Sequence, residues 1–209
     1  MKIKTTYSTK KDFQKLRVNG FKLNVGDKIR ISFCLPGKEG LFPAVECKKE
    51  SAILIQKTKK EMLFVMDRVI FNSPVDTNSC KEYAKTELAQ YLNNEVKEVL
   101  SGIFKEMETP FGIPTVKEVR LLSVGEVFGA YDFKDFAACT DKQLKFFKKG
   151  NHRIAFDKDE DYPRWWWLST PTKFESAYFC YCDIDGDAIY NSADNSDSGV
   201  RFAFLIQYL

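Results

Sequence analysis

RWWWLSTPTKFESAYFCYCDIDGDAIYNSADNSDSGVR, residues Arg164–Arg201, is unlike the rest of the chain. Three consecutive tryptophans and a Ser-Thr-Pro lead into a run of Tyr, Asp, Asn, Ser and Cys with no Lys or Arg from Phe174 to Val200. Of the 32 basic and 29 acidic side chains, 31 and 23 lie in residues 1–173, a balance of +8, whereas residues 174–200 carry six acids and a balance of −6. A basic body carries an acidic, aromatic segment.

Alternation gives this segment two sides. If Ala177–Asp183 is a strand, Phe179, Tyr181 and Asp183 project one way and Tyr178, Cys180, Cys182 and Ile184 the other. The second set is small or apolar and is expected to face the core, leaving the first set outside. Tyr190, Asn191, Asp194, Asn195 and Asp197 join that face from a stretch too polar to bury, and Asp185 and Asp187 flank Gly186. Among the tryptophans, Trp166 or its inward neighbour reads as core and Trp165 as the exposed member. The candidate ligand-binding residues are therefore Trp165, Phe179, Tyr181, Asp183, Asp185, Asp187, Tyr190, Asn191, Asp194, Asn195 and Asp197. Tyr, Asn and Ser are what binding surfaces use, since Tyr gives rigid contact area and the polar residues adapt their hydrogen bonds. The competing reading is that Asp-Gly-Asp and Asp-Asn-Ser-Asp are solvated turns.

The body supplies a frame. With 209 residues, 44% apolar and 18 Phe, the chain can bury roughly 70% of its unfolded surface. Val25-Gly26-Asp27 reads as a turn, and Lys28–Leu35 alternates polar with apolar residues as a half-buried strand does. Phe42–Glu46, Ala52–Gln56 and Met62–Val69 are further strands, with Lys57–Lys60 as a hairpin turn. Ser79 and Glu82 have capping-box spacing ahead of a helical face made by Ala84, Leu88, Tyr91, Leu92, Val96, Val99, Leu100 and Ile103, with Gly102 near its end. Pro110, Gly112 and Pro114 then make a rigid connection. Val119–Leu122 reads as a buried strand running into a second capping box, Ser123 and Glu126, whose helix stops at Gly129. Thr140 and Gln143 repeat that signature, closed by Lys148-Lys149-Gly150. The result is an α+β class with small antiparallel sheets, one long and two short helices, an N-terminal arm (1–24) and one domain (25–209).

Several classes drop out. A net charge of +3 with isolated Lys pairs argues against nucleic acid. No apolar stretch has the length of a secretory signal core or a membrane span, so a cytoplasmic or phage-associated protein is expected. Six cysteines without a C-x-x-C, and a single His, argue against structural zinc and for reduced core thiols. Cys180 and Cys182 on one face of a strand would lie about 7 Å apart, too far for an easy disulfide. Asp183-Ile184-Asp185-Gly186-Asp187, with Asp194 eleven residues after Asp183, partly echoes a calcium loop. Ala188 stands where that loop needs Gly and Asp194 where it needs Glu, so Asp183, Asp185 and Asp187 are only weak calcium candidates and no cofactor is expected. His152 is the sole imidazole and no nucleophile or phosphate-loop motif occurs, so no catalytic residues are assigned.

Trp166-Trp167-Leu168-Ser169-Thr170-Pro171, Ala177, Gly186 and Gly199-Val200-Arg201 resemble the WWLRSP…A…G…GVRP signature of a family of bacterial and phage domains without an assigned activity. Val25-Gly26-Asp27, Leu92-Asn93 and Leu121-Leu122-Ser123 followed by Glu126 extend the resemblance over residues 25–209. Ser169 and Phe202 depart from it, standing where the pattern has Arg and Pro. That family resembles the C-type-lectin-like fold of formylglycine-generating enzymes and of the variable proteins of diversity-generating retroelements. The resemblance implies a fixed scaffold with a ligand-binding, adenine-diversified C-terminal face. Tyr178–Ser198 contains only the residue types such diversification favours. The expected function is a non-enzymatic module binding a protein or glycan. The alternatives are a structural or phage-particle component, and an enzyme like a formylglycine-generating enzyme or a glycosidase.

Overall fold

The computed structural model describes residues 23–105, 113–129, 142–173 and 177–207. The N-terminal arm up to Lys22, Pro110, Gly112, Cys139 and Thr140 lie outside the described residues.

The first sheet begins with β1 (Lys28–Leu35), whose alternation buries Ile29, Ile31, Phe33 and Leu35. β2 (Val45–Lys57) is a single 13-residue strand where the sequence suggested two. The polar run Cys47–Glu50 between those two stretches is absorbed as an irregularity in the ladder: Lys49 takes a positive φ of 60° and its N–H donates to Ser32 Oγ at 2.9 Å. β3 (Glu61–Met66) follows across a turn in which Thr58 Oγ1 accepts from the N–H of Glu61. The sheet is completed by β5 (Thr115–Arg120) and by the last strand, β12 (Ala203–Gln207), in the order β1-β2-β3-β12-β5.

The second sheet holds the acidic segment. It comprises β4 (Phe71–Asn72), β8 (Trp166–Pro171), β9 (Tyr178–Cys182), β10 (Ala188–Ser192) and β11 (Gly199–Val200), ordered β10-β9-β8-β11-β4. A short ribbon of β6 (Ala155–Phe156) and β7 (Pro163–Arg164) lies outside both.

The helical face starts later than Ser79 and Glu82 suggested. Ser79 sits at φ 58° and Glu82 pairs with Lys85; the cap is Thr86, whose Oγ1 accepts from the N–H of Ala89 at 3.2 Å. Buried Asp76 arranges the loop before it, accepting from the N–H groups of Asn78, Cys80 and Glu87. α1 (Glu87–Tyr91) then passes through a wider π turn (Leu92–Val96) into α2 (Lys97–Lys105). Gly102 does not end it, because it lies on the exposed side while Ile103 and Phe104 continue the buried face. α3 (Val124–Phe128) has both halves of the Ser123 and Glu126 capping box and stops at Gly129, φ 91°. Glu126 also receives a fork from Arg120, two N–H···O contacts of 2.7 Å.

Two cores result. Leu54, Phe64 and Phe204 face Leu92, Leu100 and Phe104 on one side of the first sheet, together with Trp167, Phe179 and Tyr181. Ile53, Val65 and Ala203 on its other side pack with Val127, Phe147, Trp166, Cys180 and Cys182. Inside the second sheet, Gly199 pairs in parallel with Trp166 and antiparallel with Asn72, four residues before the chain enters the first sheet at Ala203. A Cβ on Gly199 would lie 2.4 Å from Val69 Cγ1 and 2.7 Å from the Trp165 carbonyl. Gly199→Ala is expected to cost about 2 kcal/mol or more, lowering Tm by several degrees. Gly102→Ala, into open space on a helix, should raise stability by about 0.5–1 kcal/mol. Calorimetry of the two variants checks both signs.

Candidate functional site

The alternation read from β9 is present, but both of its sides are core. Phe179 is fully buried and Tyr181 is 6% exposed, so neither belongs to an outer face; Cys180 and Cys182 fill the second core behind them. The reason is position. β9 is flanked by β8 and β10, and a strand inside a sheet that is covered on both faces reads as a near-continuous apolar run, here YFCYC. Ile184, expected inside, is 41% exposed because it lies in the turn beyond the strand.

The exposed face is built from the neighbours of that strand. Register places Ile189 opposite Tyr181 and Trp167 on its other side, with the Trp165 ring 5.7 Å from the Tyr181 ring. Trp165 (42% exposed) and Ile189 (38%) thus flank a nearly covered Tyr181. On the opposite side of β10, Tyr190 is 41% exposed and meets Tyr178 edge to face at 6.0 Å. As expected, Trp166 is core and Trp165 is the outer ring; Trp167, on the same side as Trp165, is core as well. Ile184 and Ile189 were absent from the candidate residues. Nothing in a one-dimensional pattern marks an exposed Ile; the edge position of β10 does.

The acids fall into two groups at opposite ends of β10, about 17 Å apart for five strand residues. At one end, Asp183 closes the turn. Its Oδ1 accepts from the N–H groups of Asp185 (3.0 Å) and Asp187 (2.8 Å), and its own N–H donates to the Asp187 carbonyl. Gly186, at φ 86°, abuts the Gly150 carbonyl, so the turn rests on the loop that carries His152. Asp185 and Asp187 are exposed. At the other end, Asn195 Oδ1 accepts from the N–H groups of Asp197 and Ser198, and Asp194 and Asp197 are exposed. Asn191 Oδ1 accepts from the N–H of Ser192. Asp183, Asn191 and Asn195 therefore use an oxygen to hold the backbone, as the solvated-turn reading requires.

Other chemistry is sparse. Among the described residues no group of three His, Cys, Asp or Glu side chains is placed to hold a metal ion. Among those same residues the cysteines are free thiols; Cys47, Cys180 and Cys182 are buried, and burial pushes Cys47 and Cys182 up to about 12. His152 is half-buried, stacked on Phe146 at 4.2 Å, with Nδ1 2.6 Å from the Phe146 carbonyl. A polar cavity of about 330 Å³ near Tyr83, Asn93 and Ser169 contains Arg120, whose guanidinium is already held by Glu118 and Glu126.

The two tyrosines separate scaffold from surface. Tyr181→Ala should cost about 3 kcal/mol or more, as large aromatic truncations in a core do, and Tyr190→Ala less than about 0.5 kcal/mol. Denaturant unfolding of both variants measures this.

No curated protein matches the chain, and no solved structure does. Residues 60–208 match the family described as Domain of unknown function (DUF6273), a span that starts in the hairpin before β3 and includes the whole second sheet. With more than half of its residues in that match, the chain belongs to this family.

Proposed function

We propose that the protein is a non-enzymatic ligand-binding module that recognises a protein or glycan through the exposed side of the β9–β10 hairpin. One observation carries this. Trp165 and Ile189 are exposed and flank Tyr181 on one side of the hairpin, with exposed Ile184, Asp185 and Asp187 in its turn, while Tyr190 is exposed on the opposite side. Aromatic and aliphatic anchors ringed by polar groups are the make-up of binding hot spots, and the acids favour a ligand of basic character. The frame below is rigid, since Tyr181 and Trp167 are buried beneath the patch and Cys180 and Cys182 are buried on the other side of the same strand.

The C-type-lectin-like reading is supported by the resemblance in the Trp and Gly-Val-Arg segments, which the sheet brings together as Trp166 beside Gly199. A retroelement-diversified version of this face would be confined to exposed positions such as Asp185, Asp187, Ile189 and Tyr190. Variation at Phe179 or Tyr181 would damage the core.

The test is capture from arrays of basic peptides and glycans by wild type and by Trp165→Ala/Ile189→Ser. Loss of a hot-spot pair should weaken a captured ligand at least about 30-fold, with Tm unchanged within a few degrees and with binding weaker at high salt. Equal binding by both proteins, or ligands insensitive to salt and to Asp187→Asn, would remove the face from consideration.

A further inference from the structure

Beside the loop that carries Asn151, His152 and Ile154, a cavity of about 410 Å³ reaches down to a buried arginine. Arg201 is 2% exposed. Its Nε–H donates to the Met66 carbonyl at 2.9 Å and one Nη1–H to the His152 carbonyl at 3.3 Å; its plane lies 4.9 Å from the Trp166 ring and 6.0 Å from that of Phe147. A guanidinium has five N–H donors, and these contacts account for two of them. Among the described residues no carboxylate lies within ion-pairing distance of it. A buried cation without a counter-ion is costly, so such charges are normally paired or neutralised. Burial lowers the Arg201 pKa only to about 10, so it remains charged near neutral pH.

The other charged groups at the mouth are already balanced. Lys28 Nζ lies 2.6 Å from Asp67, and Arg68 contacts Asp161 at 3.2 Å while donating to the Asp157 carbonyl at 2.7 Å. Arg201 is in contact with no carboxylate; Asp67, which contacts Lys28, acts on its charge only through space. Phe146, Ile154 and Phe156 supply apolar wall, and Asn151 stands at the rim.

We propose that this cavity is a binding site for a small organic anion, whose carboxylate or phosphate oxygens take the remaining N–H groups of Arg201 while its body lies against Phe146, Ile154 and Phe156. The free edge of a guanidinium suits two oxygens of one oxyanion, which is the strong, geometrically specific form of this contact. The site is separate from the hairpin face and does not depend on it.

Arg201 is best left in place in the test, because truncating a fully buried side chain endangers the fold. The full chain is titrated with inorganic phosphate and with acetate, against chloride at equal ionic strength, by calorimetry and by following the Arg201 Nε–H resonance. Wild type should bind at least one of the two anions with a matching shift of that resonance, and the preferred anion identifies the head group. Lys28→Glu should weaken binding roughly three- to tenfold and Asp67→Asn should tighten it by a similar factor, both from one charge near the mouth. The proposal is overturned if neither anion binds beyond chloride, if binding leaves the Arg201 resonance unmoved, or if both variants bind as wild type does. Any of those results would leave Arg201 as a structural tie between the Met66 and His152 carbonyls.

Discussion

Between Gly199 and Phe204 the backbone leaves one sheet and enters the other with every residue buried, and the rest of the fold is arranged around that passage. Gly199 and Val200 pair with β8 and β4; three residues later Ala203 pairs with Val65 and Arg120. A crossing this short leaves no slack. Phe202 packs into the first core edge to face with Phe33, and Arg201 points to the opposite side, against Trp166. One six-residue segment thus fixes the spacing of the two sheets and places a cation between them.

That constraint explains why the acidic segment can be both unusual in composition and firmly held. β9 is inserted between β8 and β10, with apolar contacts on both sides, so the hairpin beyond it is displayed from a fixed base. The turn at Asp183–Asp187 is closed by its own carboxylate and leans on the Gly150–Ile154 loop. Polar residues that look free in the sequence are spent on backbone N–H groups, and the exposed contact area comes from Trp165, Ile189 and Tyr190 instead. Ile189 and Tyr190 lie on the edge strand and Trp165 just before β8, where exposed side chains cost the fold little.

Much of this was legible in the chain, for identifiable reasons. Period-2 alternation located β1, and the Ser123 and Glu126 pair located α3, because both signals are local. Trp166 as core also followed from alternation, whereas Trp165 and Trp167 share a side and differ in burial because Trp165 lies just outside β8. What was missed depends on tertiary surroundings. A strand such as YFCYC gives no sign of which side is outside when both are covered, and the helix cap passed from Ser79 to Thr86 because Asp76 reorganised the intervening loop. Arg201 appeared only as part of a Gly-Val-Arg motif. That its charge is buried without a carboxylate depends on residues 49 and 135 positions away in sequence.

A rigid two-core frame should display a replaceable surface on the β9–β10 hairpin and on Trp165 beside it. The most direct measurement of this is protease survival of two displayed libraries, one randomised at Trp165, Asp185, Asp187, Ile189 and Tyr190, the other at Phe179, Cys180, Tyr181 and Cys182. Most clones of the first library should stay folded and few of the second. Equal survival of the two libraries would contradict it.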